Sequence, residues 1–185
     1  VPGSPVDARR LRRGHDPENG GTMCRIDGIP EDISMNGQGH EQKLDLTALR
    51  GATVSLEGAL GALAAVGDAD ALVAGLAVPA LRETLMAGVV KNFEFVYELS
   101  TKMMRRFVQM EAEVPDEVSQ WGFRDVLRHV ADRGLIDDVQ VWFDYRTMRG
   151  ETGLAYMPEK ARAVCESART LLRDARALLA QLELR

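Results

Sequence analysis

From Asp45 onward, apolar residues recur near helical spacing, and no stretch alternates convincingly as a half-buried strand would. In LDLTALRGATVSLEGALGALAAV, the positions Leu49, Val54 or Leu56, Leu60 and Leu63 form one stripe, with Asp45 or Thr47 placed to cap the start. The pattern predicts a first helix ending near Gly67. Gly75 and Pro79 mark a connection. Pro79 suits a first helical turn, and the unbroken pattern from there to about Glu113, before Pro115, predicts a long second helix. Residues 120–133 predict a helix stopped by Gly134, Asp137 or Asp138 opens another over VQVWFDYRTMRG, and Pro158 opens a last helix reaching Leu184. Five helices, two of them short, joined by short links predict an all-α fold: an antiparallel up-and-down bundle of four to five helices.

Residues 1–42 break this pattern. They hold 11 of the chain's 24 glycines and prolines, few aliphatic residues and no periodicity, and read as an irregular N-terminal tail or linker ahead of a bundle domain over 43–185. The whole chain, 185 residues with 45% hydrophobic content, suits one globular domain with such a tail. A net charge of −5 gives no global basic field to draw in nucleic acid or a membrane surface. The longest uncharged apolar run, Ala71 to Leu81, is too short to span a bilayer and contains Pro79, so no membrane span is expected. Cys24 and Cys165 sit in no CxxC or Cys/His pattern. They are expected as free thiols, with no metal site and no cofactor, in a cytoplasmic protein.

The long helix poses the first functional question. The apolar side chains of Val89 to Val108 cover an arc of roughly 220°, where a surface helix needs only about 100°. The remaining polar strip is narrow: Lys91, Glu94, Glu98, Thr101, Lys102 and Arg105. Either several neighbours of the same bundle cover this helix, or part of the arc, centred on Phe93, Phe95, Tyr97, Leu99 and Met103, forms a subunit interface. Glu98 and Lys102 stand four residues apart in the favoured order for a helix ion pair.

The segment VVKNFEFVYELSTKMMRRFV resembles the signature helix of the nucleotidyltransferase substrate-binding protein family, within the HEPN superfamily of helical bundles. A second block, FRDVLRHVADRGLIDDVQVWFDYRTMRGETGLAY, resembles the family's later helices in order and spacing, and the resemblance covers about residues 43–184. It implies an all-α bundle that forms a homodimer and pairs with a small separate nucleotidyltransferase, in the manner of a toxin and antitoxin. The related HepT proteins are ribonucleases built on a motif of Arg, four to six residues, His, any residue, Tyr. The corresponding segment here keeps Arg149 and Tyr156 but carries Leu154 where the motif has His. Leucine can neither move a proton nor accept a hydrogen bond, so the acid-base residue of that chemistry is missing.

These readings favour a non-catalytic subunit that partners a nucleotidyltransferase, with Arg149 available to hold a phosphate of nucleotide or RNA and Tyr156 available as a site of modification. A divergent ribonuclease using Arg149 and Tyr156, with His129 as a further candidate, is the enzymatic alternative. An oligomeric scaffold without a nucleotide link is the third. Arg124 and His129 match the Arg-to-His spacing, but residues five apart on a helix point about 140° from each other. On the last helix, Arg162, Arg169, Arg173 and Arg176 partly align, interleaved with Glu159, Glu166 and Asp174 as a solvated face would be.

Overall fold

A computed structural model of the chain describes residues 43–66, 72–73 and 76–185. The tail expected over 1–42, including Cys24 and His15, lies outside the described residues. The elements in order are α1 (Thr47–Val66), two-residue strands β1 (Leu72–Val73) and β2 (Leu76–Ala77), α2 (Val78–Glu111), α3 (Pro115–Val118), α4 (Phe123–Asp132), α5 (Val139–Glu151), a 3-10 turn (Thr152–Leu154) and α6 (Pro158–Glu183). All five expected helices are present. Pro115–Val118 adds a single turn that is too short to show a period, and β1 pairs with β2 antiparallel, Leu72 opposite Ala77 and Val73 opposite Leu76.

Local chemistry fixes the ends. Asp45 Oδ1 accepts from the Thr47 amide at 3.0 Å, which holds the Asp45 carboxyl below its usual range. α4 ends at Gly134, whose φ of 70° is costly for a residue with a side chain. The amides of Gly134 and Leu135 donate back to the carbonyls of Ala131 and Val130, closing the helix and delivering Leu135 into the core. Of the two candidate aspartates, Asp138 is the cap, accepting from the Gln140 amide at 2.7 Å.

α2 is the axis of the fold. It packs against α1, α3, α4, α5 and α6, and its buried positions include Val89, Phe93, Val96, Tyr97, Met103, Met104 and Phe107. The wide apolar arc is therefore covered by neighbours of the same chain. This corrects part of the expected subunit interface: Phe93, Tyr97 and Met103 are core residues, and of the five only Phe95, 45% exposed, and the half-buried Leu99 reach the surface. Phe93 and Trp142 both meet the Tyr145 ring edge-on, at 6.5 and 5.6 Å between centroids. The Tyr145 hydroxyl donates to Asp174 Oδ2 at 2.6 Å, and burial followed by this carboxylate pushes the phenol pKa up.

Ion pairs give the helix directions. Arg50 pairs with Glu183 and Glu57 with Arg176, so α1 and α6 run antiparallel. Arg149 pairs with Glu98 and Thr152 bonds Glu94, so α5 runs antiparallel to α2. α2 and α6 are parallel: their starts share one cavity wall and their ends another. By length and composition alone α1 is apolar enough to cross a membrane. A search for uncharged runs passes it over because Arg50 and Glu57 interrupt it, and here both charges are engaged with α6.

Candidate functional site

The segment matching the ribonuclease motif begins at the end of α5, passes through the 3-10 turn and enters α6. Gly150 and Gly153 leave the backbone unencumbered, and Pro158 supplies the fixed φ with which α6 starts. Two carboxylates of the polar strip on α2 hold the segment from below. Glu98 Oε1 accepts from Arg149 Nη2 at 2.6 Å and from Nε at 3.2 Å. Glu94 Oε1 lies 2.5 Å from the Thr152 hydroxyl, while its other oxygen receives Lys91 Nζ at 2.8 Å. The Lys91 and Thr152 hydrogen bonds keep the Glu94 carboxyl below its ordinary value of 4.5. Thr152 is buried, and its hydroxyl also lies 2.8 Å from the Arg149 carbonyl, so its one proton serves one of two acceptors at a time. Lys160 and Glu151 tie α6 to α5 across the turn at 2.9 Å.

The expected partner of Glu98 is thus replaced. No Glu98–Lys102 pair forms among the described residues; instead the Arg149 guanidinium reaches Glu98 from across the bundle, with Nη2 and Nε both on Oε1. Arg105 leaves the strip as well. Its guanidinium donates to the carbonyls of Val118 and Trp121, fastening the α3–α4 connection to α2. Lys91 also lies 4.8 Å from the centre of the exposed Phe95 ring.

Leu154 is 45% and Tyr156 79% exposed. Arg149 and Tyr156 address different stretches of α2. Arg149 binds at Glu98, whereas Tyr156 shares a cavity wall with Glu83, Met86 and Ala87, at least 11 residues earlier and on the order of 16 Å along the helix axis. His129 joins neither. Its Nε2 is 3.2 Å from Glu111, which also receives Arg133, and its ring packs edge-on to Trp121. Arg124 instead lies over the Phe143 ring. Among the described residues, no three His, Cys, Asp or Glu side chains gather as a metal ligand set.

Sequence reasoning missed the bracing role of Glu94 and Glu98, whose partners are 58 and 51 residues away with no local spacing to reveal them. It also missed a groove beside Tyr156. One cavity of about 370 Å³ and a second of about 420 Å³ adjoin there, sharing Arg82, Met86 and Arg162 as lining. The spacing of Arg162 and Arg169 was the available signal, but nothing in the sequence places Arg82 opposite them.

Residues 44–184 match the family described as "Nucleotidyltransferase substrate binding protein like". The chain is 44% identical over 105 residues to a Haemophilus influenzae protein named "Probable ribonuclease HepT", an alignment covering 57% of this chain and 72% of that protein. It also superimposes with a TM-score of 0.66 and 35% identity on a solved Haemophilus influenzae structure, described as revealing the fold of a substrate-binding domain of a nucleotidyltransferase. That match covers 75% of this chain and 99% of the other.

Proposed function

Because the chain belongs to the family of nucleotidyltransferase substrate-binding-protein-like bundles, we propose that it is a non-catalytic partner subunit of a separate nucleotidyltransferase, acting in the cytoplasm as a homodimer. The observation that carries this reading is the state of the motif segment. Leu154 stands at the histidine position, Arg149 is spent on Glu98, and Tyr156 presents its hydroxyl to solvent with Pro158 just beyond. Such a segment can be recognised or modified by another protein, but it holds no acid-base pair of its own. Tyr156 is then a candidate acceptor for a nucleotidyl group. A protonated phenol is a weak nucleophile, so the partner enzyme supplies base, metal and nucleotide. Phe95 and Leu99 are the surface that supports self-association. Co-expression with a small nucleotidyltransferase from the same organism tests the pairing: a stable co-purifying complex is expected, and separate elution at micromolar concentration overturns it. Mass spectrometry of the mixture with ATP tests Tyr156 as acceptor.

A ribonuclease reading is favoured by the name of the Haemophilus influenzae relative and by the retained Arg149 and Tyr156. It requires Arg149 to leave Glu98 and bind phosphate. Incubation with mixed RNA separates the two readings: sustained cleavage that Arg149→Ala abolishes would establish the nuclease and defeat the non-catalytic proposal.

A further inference from the structure

The groove beside Tyr156 has a chemistry that neither the motif segment nor the family comparison assigns. Its walls come from the parallel starts of α2 and α6 and the end of α1. Arg162 and Arg169 lie seven residues apart on α6, hence on one face and about 10 Å apart along the axis. Arg82 of α2 lines the same groove, shared by both cavities. The other aligned arginines of α6 are committed, Arg173 to Asp174 and Arg176 to Glu57. Arg162 and Arg169 make no ion pair among the described residues, although both are exposed and Glu166 lies between them. Two guanidinium groups that line one concavity and make no ion pair among the described residues favour an anion, and their separation suits a chain of phosphates better than a single small ion. The carboxylates of Glu83 and Glu166 line the same two cavities.

The remaining lining is apolar. Met86 and Ala161 are buried beneath the groove, Pro79 and Pro158 edge it, and the exposed Tyr156 ring closes one end. Cys165 sits at the floor of the other end. Burial pushes its thiol pKa up, opposed by the charges of Arg169 and Arg82 and reinforced by that of Glu166. We propose that this groove binds a nucleoside polyphosphate, with its phosphates on Arg162 and Arg169 and its nucleoside against the apolar shelf that ends at Tyr156. Arginine supplies planar donor pairs matched to phosphate oxygens, and an exposed aromatic ring offers a stacking face to any base. The site is a property of this chain alone and stands or falls independently of any nucleotidyltransferase partner.

Calorimetric titration of the purified full chain with ATP in EDTA, with inorganic tripolyphosphate and with adenosine tests the proposal. ATP and tripolyphosphate are expected to bind saturably, more weakly as salt rises. The Arg162→Ala/Arg169→Ala double variant should weaken both about tenfold or more, and Tyr156→Ala should weaken ATP alone about fivefold. Arg173→Ala, a control for charge on the same helix, should leave both affinities unchanged, and circular dichroism with thermal melts checks that each variant folds. Absence of saturable ATP binding at millimolar concentration, or an affinity indifferent to Arg162 and Arg169, overturns the site. Equal loss of ATP and tripolyphosphate in Tyr156→Ala overturns the placement of the nucleoside.

Discussion

α2 treats its two halves differently. Around Glu94 and Glu98 it clamps the end of α5 with paired charges above an aromatic core of Phe93, Tyr145 and Trp142. Around Pro79–Ala87 it borders a groove whose facing arginines on α6 make no ion pair among the described residues. The same residue type is therefore used differently within one short stretch of chain: Arg149 is paired inside the fold, whereas Arg162 and Arg169 line a groove and make no ion pair among the described residues. An arginine is informative about function when the fold leaves its charge unanswered.

The contrast can be broken most severely from beneath the clamp. Phe93→Ala should destabilise the protein by about 3–5 kcal/mol in urea denaturation, since the ring is wholly buried against Tyr145. Phe95→Ala, two residues on and exposed, should cost little stability but weaken self-association in light scattering; a chain that stays monomeric at all concentrations would remove the interface reading. Thr152→Val, which takes a donor from the Glu94 carboxylate, should cost about 1–2 kcal/mol by the same unfolding assay. Glu98→Gln leaves Arg149 without its counter-charge, yet both side chains are about half exposed, so a loss below about 1 kcal/mol is expected. Arg162→Ala should change stability by less than about 0.5 kcal/mol, because no ion pair among the described residues is lost.

Acidification sharpens the same comparison. The folded Glu94 carboxyl binds its proton less tightly than the unfolded one, so its contribution to stability is complete above pH 4.5. It is lost as the pH falls from there through the lower folded pKa. Thr152→Val should narrow this loss, which is measurable as a smaller difference in unfolding midpoint between pH 6 and pH 3.

Most of the fold was legible because its helices are long, strongly periodic and punctuated by Pro79, Gly134, Asp138 and Pro158, each of which acts where local chemistry dictates. Pro115–Val118 and the two-residue strands were not, since a single turn or a pair of residues has no period to read. The apolar arc of α2 was read correctly as excess, but a count of apolar positions cannot say whether they face other helices or another subunit; packing decided that for Phe93, Tyr97 and Met103. Arg149, Leu154 and Tyr156 were legible as a motif segment. The separation of Arg149 from Tyr156 was not, because it depends on where α5 and α6 land along α2. The Glu98 partner differs from the expected one for a related reason: helix spacing favours Lys102, while tertiary geometry brings the Arg149 guanidinium from 51 residues away.

The antiparallel seam between α1 and α6 has a consequence for how the bundle could be rewired. Arg50 meets Glu183, and Lys43 and Leu44 line one cavity with Leu182, Leu184 and Arg185, so the chain enters and leaves the helical unit at neighbouring points. A short flexible linker from Arg185 to Lys43 would close the unit into a ring. New ends could then be opened at the exposed Glu113–Val114 link between α2 and the single turn α3. Such a circular permutant keeps every helix contact, and the unit can equally be inserted whole into a loop of another protein.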